Sequence, residues 1–274
     1  MRKFWYGIIL SVLALTFFIG QGVAQADKLQ EVKDRGTLIA GVKDAVVPFG
    51  YVDEETNKII GFDIDVCQYI ADQLGVDLEI KPVTSATRIP KLVQGNVDLV
   101  AATMTHKFSR DDTIDFTLTY FMTGQKILVK KDSGINSVDD LAGKRVGTAK
   151  GSTSEQNIKD AQPDCKVISF EGYPQAFLAL KQGKVHAVTT DATILLGLKN
   201  SGDNPDDYVI AGEYISDEPY GIGVPENESN FRDAVNKALA DMWTSGDYQK
   251  IYNKWFGPDT NYTLPLEWEM EIWP

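Results

Sequence analysis

An internal repeat constrains the fold of this chain more than any other sequence feature. LVQGNVDLVAAT (residues 92–103) and LKQGKVHAVTTD (residues 180–191) share Leu, Gln, Gly and two Val at matching positions. Each copy predicts a helix end, a glycine stop and an apolar strand. The segments LIAGVKD and RVGTAKG, which lie upstream of the two copies, also match, with Lys43 and Lys150 after a short apolar run. Two similar units are therefore predicted, the alternative being a chance likeness of two ordinary α/β segments.

The pattern within each unit alternates strand and helix. GTLIAGVK predicts a strand, GFDIDVCQYIADQLG an amphipathic helix that stops at Gly75, and DLEIKPV, ATRIPKLVQG and VDLVAATM a strand, a helix and a strand. Such alternation is typical of an α/β fold with open, mostly parallel sheets that are flanked by helices.

The chain order also predicts how the two units are joined. LTYFMTGQKILVK and EYISDEPYGIGVP are extended segments that could cross between lobes, and the helical stretch that ends in YNKWFG follows the second crossing. We expect this last stretch to pack back on the first unit. The prediction is a discontinuous lobe 1 of residues 27–119 and 219–274, and a lobe 2 of residues 120–218.

Residues 1–26 resemble a secretory signal peptide. Arg2 and Lys3 precede an apolar run from Phe4 to Ile19, and VAQA ends in a small-x-small pattern. We expect cleavage after Ala26. An uncleaved membrane anchor is the alternative, but the run is short for a span of ~20 residues, and a lipid anchor is not expected because no cysteine lies near the cleavage point.

Composition excludes several classes of function. The remaining 248 residues carry 25 Lys and Arg against 39 Asp and Glu, a net charge of −14. Binding to nucleic acid or anionic lipid is therefore not expected. His106 and His186 have no Cys/His spacing signature around them, so no metal or cofactor is predicted. Cys67 and Cys165 fall in different predicted lobes and are expected to be unpaired.

Ligands of open α/β sheets bind beyond the carboxyl ends of the strands. If two lobes face each other, Lys43 and Thr103 would lie on one side of the cleft, and Lys150 and Asp191 on the other. Within that cleft, residues 102–116, ATMTHKFSRDDTIDF, place two hydroxyl residues shortly before a lone arginine.

A guanidinium with nearby hydroxyl groups is a good partner for a carboxylate. Arg110 with Thr103 and Thr105 is therefore predicted to hold an α-carboxylate, and Asp191 an α-ammonium group. The alternatives are an Arg110 salt bridge to one of the two following aspartates, and Asp191 as a helix cap.

Two helix starts add further candidates. Ser152 or Thr153 could cap a helix, completed by Glu155 or Gln156. Such a terminus can bind an anion, although a plain capped surface helix fits equally well. Ser85 and Arg88 stand at the other helix start. Arg88 and Lys43 would be unpaired cations beside a neutral ligand, so they favour a ligand with a second negative charge.

The chain resembles the family 3 solute-binding proteins of bacterial polar amino-acid ABC importers. The resemblance runs from about Leu29 to Gly257. It rests on VKDAVVPFGYVD, GFDIDV, RIPKLVQGNVDLVAATMT, IDFTLTY, GKRVGTAKGSTSE, LKQGKVHAVTTD, PYGIGVP and YNKWFG. It implies a two-lobed type II periplasmic binding fold joined by two hinge strands. The combination VKD, TSATR, GSTSE and YP is most similar to the glutamate/aspartate-binding subgroup.

The resemblance also implies roles for particular residues. The positions that match Thr103, Thr105 and Arg110 hold the α-carboxylate and the one that matches Asp191 holds the α-ammonium. The side-chain pocket is implied to contain Lys43, Ser85, Arg88, Ser152, Thr153 and Tyr173. His186 stands where the family usually has Asp, on a strand outside the pocket.

The implied function is capture of free glutamate or aspartate in the periplasm by a monomer. The lobes would close by hinge motion near residues 120–126 and 218–222 and deliver the ligand to the membrane permease subunits of an ABC importer. One alternative is a neutral or basic ligand, namely glutamine, asparagine or histidine. A second is an enzyme similar to cyclohexadienyl dehydratases, for which no catalytic dyad stands out. A receptor sensor domain would need a transmembrane segment after Gly257.

Overall fold

The computed structural model describes residues 27–272, so the predicted signal peptide lies outside the described residues. The elements before and including the first long strand are α1 (Lys28–Arg35), β1 (Thr37–Val42), β2 (Ala45–Val46), β3 (Gly50–Val52), β4 (Ile59–Ile60), α2 (Phe62–Leu74), β5 (Asp77–Pro82), α3 (Arg88–Val93), β6 (Leu99–Val100), α4 (Phe108–Asp111) and β7 (Ile114–Lys130). The elements after it are a 3₁₀ turn (Asp139–Leu141), β8 (Arg145–Ala149), α5 (Thr153–Ala161), β9 (Lys166–Phe170), α6 (Tyr173–Lys181), β10 (Ala187–Asp191), α7 (Ala192–Asn200), a second 3₁₀ turn (Pro205–Asp207), β11 (Tyr208–Pro225), α8 (Ser229–Thr244) and α9 (Asp247–Phe256).

The strand order contains the same unit twice. The eight strands are ordered β5-β1-β6-β11-β7-β10-β8-β9. β1 lies between β5 and β6 and is parallel to both, and β8 lies between β9 and β10 in the same way. A smaller antiparallel sheet, β2-β3-β4, follows β1. The α/β fold and the internal repeat predicted from the sequence are confirmed.

Two long antiparallel strands join the units. β7 has 17 residues and β11 has 18, and they pair from Ile114 with Pro225 to Lys130 with Tyr208, with register shifts that include one between Ala211 and Ser216. β11 also pairs with β6, whereas β7 also pairs with β10. We call β1–β6 with α1–α4, α8 and α9 the first lobe, and β8–β10 with α5–α7 the second lobe. The predicted boundaries at 119/120 and 218/219 fall within these strands and stay predictions.

The closing helices pack on the first lobe. The apolar side chains of α8, among them Phe231, Val235 and Leu239, are buried. In α9, the Phe256 ring lies 5.4 Å from the Phe62 ring of α2. These aromatic contacts bury large apolar surfaces, each contributing on the order of 2 kcal/mol. The last helices therefore belong to a lobe whose other elements precede residue 120.

The two lobes are closed against each other. A Cβ added at Gly197 in α7 of the second lobe would lie 2.0 Å from the carbonyl oxygen of Val47 in the first. A Cβ added at Gly151, where φ is +77°, would lie 2.8 Å from the Cα of Ala86. Only glycine fits such close backbone approaches. No helix among residues 27–272 is both long and apolar enough to cross a membrane.

Candidate ligand-binding cleft

The candidate site lies where the carboxyl ends of strands from both lobes meet. Lys43 follows β1, Thr103 follows β6, and Asp191 ends β10. A cavity of about 110 Å³ lies between the lobes. Its lining includes Lys43, Val83, Thr84 and Ser85 from the first lobe and Ala149, Gly172 and Tyr173 from the second. Three residues of the predicted side-chain pocket, Lys43, Ser85 and Tyr173, therefore line one cavity. The predicted carboxylate and ammonium partners are not among its lining residues; these are Thr103, Thr105, Arg110 and Asp191.

Arg110 points into protein rather than solvent. Its Nη1 donates to the carbonyl oxygen of Thr105 at 2.6 Å. Among the described residues, Arg110 forms no salt bridge with Asp111 or Asp112. Asp111 Oδ1 instead lies 2.9 Å from His106 Nε2. Burial, together with the charge of Arg88, lowers the pKa of the Arg110 guanidinium to about 9. A desolvated guanidinium with unused donors gains strongly from an incoming carboxylate.

The two hydroxyl residues near Arg110 are held differently. Thr103 has a φ of +49°, a left-handed conformation that is uncommon for a non-glycine residue. Its N–H donates to Asp63 Oδ2 at 3.2 Å and its hydroxyl to the Ala102 carbonyl at 2.8 Å. The Thr105 hydroxyl donates to the carboxylate of Glu218. Asp63, a residue of α2, thus supports the unusual backbone at Thr103.

Asp191 is buried, and one of its two carboxylate oxygens is hydrogen-bonded. The Tyr220 hydroxyl donates to Oδ2, whereas Oδ1 has no hydrogen-bond partner among the described residues. Asp191 precedes α7, but its side chain does not cap that helix. Burial, followed by the charge of Glu218, raises its pKa to about 7. A buried acceptor without a donor is the complement of an ammonium group.

The helix start at α5 differs from the prediction. Ser152 is the N-cap, but its hydroxyl donates back to the Ala149 carbonyl at 2.7 Å instead of capping the helix. Glu155 accepts from the N–H of Gly151 at 3.3 Å. The Thr153 hydroxyl donates to Glu218 at 2.8 Å. The predicted side-chain cap is therefore wrong, because the Ser152 oxygen does not accept from a backbone N–H of the first helical turn.

Two basic residues of the predicted side-chain pocket are bonded to protein oxygens. Lys43 Nζ donates to Ser85 Oγ at 2.8 Å, and burial holds the Lys43 pKa well below its usual value. Arg88 Nη1 donates to the carbonyls of Ala102 and Thr103 at 2.7 and 2.9 Å, whereas its Nε has no partner among the described residues. Lys150, which was expected at the cleft, is exposed.

Sequence reasoning missed three acidic or phenolic residues of the site. Glu218 and Tyr220 are both buried on β11, and Asp63 is buried on α2. Spacing carried a signal for each. Residues 218 and 220 share one face of a strand, and Asp63 shares the apolar face of its helix with Val66, Cys67 and Ile70. An acidic residue on an apolar face predicts a buried and partnered carboxylate.

The charges around the cleft are balanced. Three bases, Lys43, Arg88 and Arg110, lie among three buried acids, Asp63, Asp191 and Glu218. Burial raises the pKa of Asp63 to about 7, with hydrogen bonds from Tyr120 and Thr103 opposing the shift. A zwitterion can enter such a site without adding net charge. The arrangement can hold a carboxylate and an ammonium at opposite ends of a small ligand.

The fold and this cleft define a binding protein of a known class. Residues 38–258 match the model for bacterial extracellular solute-binding proteins, family 3, and the chain belongs to that family. Proteins of this kind bind free amino acids and deliver them to the permease subunits of ABC importers. The chain is an amino-acid-binding protein of an ABC transporter and not an enzyme, as predicted.

Relatives refine this class. The chain is 42% identical to the ABC transporter glutamine-binding protein GlnH of Bacillus subtilis, with 86% of this chain and 87% of that protein covered. It is 46% identical to a glutamine-binding protein of Geobacillus stearothermophilus, with 76% and 80% covered. An L-glutamate/L-aspartate-binding protein of Pseudomonas aeruginosa is 34% identical, with 83% and 79% covered. The predicted family is confirmed, whereas the glutamate/aspartate subgroup is not.

A solved structure agrees with the observed fold. An ancestral arginine-binding protein bound to glutamine superimposes with a TM-score of 0.78 at 44% identity, covering 81% of this chain and 99% of that one. The α/β fold of periplasmic amino-acid-binding proteins is thus shared by this chain.

Proposed function

We propose that this protein captures glutamine in the interlobe cleft and delivers it to an ABC importer. The main expectation from the sequence was an acidic amino acid, with glutamine among the alternatives. The observation that carries the proposal is the charge balance of the cleft. Because three buried acids accompany Lys43, Arg88 and Arg110, the two extra bases do not call for a second ligand carboxylate. The identity to two glutamine-binding relatives supports the same ligand.

The residues have distinct roles in this proposal. Arg110 pairs with the α-carboxylate, and the free Oδ1 of Asp191 accepts from the α-ammonium. Thr103 and Thr105 shape the carboxylate end. The side-chain amide of glutamine lies among the remaining pocket residues, which are Lys43, Ser85, Arg88, Ser152, Thr153 and Tyr173. An amide offers both a donor and an acceptor, which suits a pocket that contains hydroxyl groups as well as cations.

Calorimetric titration tests the ligand assignment. The protein is unfolded and refolded to remove copurified ligand, then titrated with glutamine, glutamate, aspartate, asparagine, histidine and arginine. We expect glutamine to bind at least ~10-fold more tightly than glutamate, since an extra buried charge costs more than one hydrogen bond gains. Tighter binding of glutamate than of glutamine would overturn the glutamine proposal and keep the family.

An acidic ligand is the second candidate. The Arg88 Nε without a partner and the buried Lys43 both offer hydrogens to a distal carboxylate. The relative from Pseudomonas aeruginosa, an L-glutamate/L-aspartate-binding protein, supports this candidate at lower identity. The titration above separates the two candidates directly.

The remaining proposals concern the cellular location of the protein, its oligomeric state and its hinge motion. We place the mature chain, from residue 27, outside the cytoplasmic membrane in the periplasm, as a monomer that closes by hinge motion of β7 and β11. The family of extracellular solute-binding proteins supports export. N-terminal sequencing of the secreted protein would test the cleavage after Ala26, and light scattering would test the monomer.

A further inference from the structure

Glu218 is a buried carboxylate at the centre of the closed molecule. It lies on β11, one of the two strands that join the lobes, and its exposed fraction is 1%. Oε2 accepts from the Thr105 and Thr153 hydroxyls, and Oε1 accepts from Asn157 Nδ2 at 2.9 Å and Ser216 Oγ at 2.7 Å. Two oxygens that accept four hydrogen bonds fit an ionised carboxylate, which accepts only.

The donors to Glu218 come from both lobes. Thr105 lies in the first lobe, 113 residues before Glu218 in the chain. Thr153 and Asn157 belong to α5 of the second lobe. A single oxygen, Oε2, therefore bridges one hydroxyl from each lobe. Movement of the lobes away from each other must break at least one of these two bonds.

Breaking these bonds has a cost that favours the closed arrangement. A carboxylate removed from water is stable only while donors satisfy it, and hydrogen bonds to a charged group are worth more than neutral ones. Ser216 is on the same strand as Glu218, so its bond survives opening. On opening, Glu218 loses either the bond from Thr105 of the first lobe or the bonds from Thr153 and Asn157 of the second.

We propose that Glu218 is a positioning residue that ties the two lobes together in the closed arrangement, through the Thr105 hydroxyl of the first lobe and the Thr153 hydroxyl of the second. The tie also fixes the hydroxyl groups of Thr105 and Thr153, because each hydroxyl has one hydrogen and donates it to Glu218. This inference deepens the proposed function and rests on it only for the identity of the ligand. The tie itself consists of protein groups alone, so it can be measured without a ligand.

The first measurement therefore uses no ligand. Small-angle scattering and a fluorophore pair with one dye on each lobe report how closed the refolded, ligand-free protein is. E218A removes all four acceptor contacts. E218Q keeps the size but replaces one carboxylate oxygen by an NH₂ group, which cannot accept a hydrogen bond, so two of the four acceptor contacts are lost in either orientation of the amide. D217N, on the exposed neighbouring residue, is the matched control, and S216A removes the contact that does not cross between the lobes.

We expect E218A and E218Q to lower the closed-to-open ratio of the ligand-free protein by about tenfold or more, with E218Q the smaller change. D217N is expected to match the wild type, and S216A to change far less than E218A. Glutamine binding to E218A should weaken by a similar factor, chiefly through faster dissociation. Circular dichroism verifies folding, and E218Q still tests the tie if E218A does not fold.

The outcomes separate two failures. If E218A and E218Q keep the wild-type closed-to-open ratio without ligand, the tie is wrong, whatever the protein binds. If the ratio falls but glutamine does not bind the wild type, the tie stands and the proposed ligand is wrong. A fall in the closed-to-open ratio of D217N as large as that of E218Q would also overturn the tie. It would show that closure responds to any substitution in this part of β11.

Discussion

Asp191 and Arg110 show how single residues can prepare a site at a cost to the ligand-free protein. Each is largely removed from water, and the structure leaves Oδ1 of Asp191 without a partner among the described residues. Burial raises the pKa of Asp191 and lowers that of Arg110, so each charged form is disfavoured until an opposite charge arrives. The ligand supplies both missing charges at once, which makes binding selective for zwitterions.

Replacement of Arg110 by alanine should abolish most binding. We expect R110A to weaken the affinity for the preferred amino acid by ~100-fold or more, because a carboxylate is then buried without its guanidinium. Calorimetry with wild type and R110A measures the effect, and K107A, on an exposed residue of the same segment, is the control. Normal binding by R110A would refute the assignment of the carboxylate end.

The affinity should depend on pH through Asp191. Its ionised form is needed to pair with the ammonium, and its pKa in the ligand-free protein is about 7. Below that pH the carboxyl is protonated and binding must release the proton, so the dissociation constant should rise up to ~10-fold per pH unit from pH 7 to pH 5. Above pH 8 the affinity should level off. Titrations of wild type and D191N test this expectation, and D191N should bind weakly with a flat profile.

Site residues that contact groups close in sequence were predictable. Site residues that contact groups far away in sequence were not. Arg110 and Thr105 lie five positions apart, and their grouping is visible in the sequence. Glu218 contacts residues 113 and 65 positions away, and no local pattern encodes such a meeting. The sequence did reveal Lys43 and Arg88 as pocket residues. The prediction that they require a second carboxylate on the ligand was made without knowledge of the buried acids around them.

Among the elements, α7 approaches the backbone of the other lobe closely. The helix runs from Ala192 to Asn200, and Gly197 presents its bare backbone to the Val47 carbonyl of the first lobe. Glycine within a helix costs about 1 kcal/mol relative to alanine. Its presence here is explained by the close approach of the two lobes.

Substitution of Gly197 by alanine should separate stability from binding. A methyl group 2.0 Å from a carbonyl oxygen cannot be accommodated in the closed arrangement. We expect G197A to lower ligand affinity by ~10-fold or more, while the thermal stability of the ligand-free protein stays the same or rises slightly, because separation of the lobes relieves the clash and alanine favours the helix. Calorimetry and thermal unfolding measure the two quantities, with K199A on the same helix as the control. An unchanged affinity would show that α7 does not meet the first lobe this closely.

Helices and strands were predicted correctly where the hydrophobic pattern extends over many residues. Most elements of only two or three residues were not predicted. The strand-helix-strand repeat left clear patterns, as in α2 with its apolar face. The strands β2, β3 and β4 have two or three residues each and carry no alternation that could reveal them. The two segments that cross between the lobes were recognised as extended. Their full length as the strands β7 and β11 was not predictable, because it depends on the pairing of these two strands with each other.

At the scale of the whole molecule, the two lobes share their central strands. β7 and β11 pair with each other along nearly their full lengths and with strands of both lobes. β7 and β11 complete the sheet of both lobes. Unfolding of either lobe therefore exposes an edge of these two strands. The lobes should therefore unfold together rather than as independent domains.

Chemical denaturation of the ligand-free protein tests this cooperativity. Within residues 27–272 the tryptophans are Trp243 and Trp255 of the first lobe and Trp268, which packs on Trp243, so their fluorescence reports that lobe, whereas far-ultraviolet circular dichroism reports helices of both. We expect coincident transitions in urea with one midpoint. Two separated midpoints would contradict shared cooperativity, and addition of the ligand should raise the single midpoint by mass action.

The return of α8 and α9 to the first lobe has a consequence for the order in which the chain matures. The sheet of that lobe needs β11, and its core needs Phe231 and Phe256, all of which follow the second lobe in the chain. The first lobe therefore cannot be completed until the whole second lobe has been synthesised. Under the proposed export, such a delay favours passage of the chain through a membrane pore in an extended form, with folding completed on the far side.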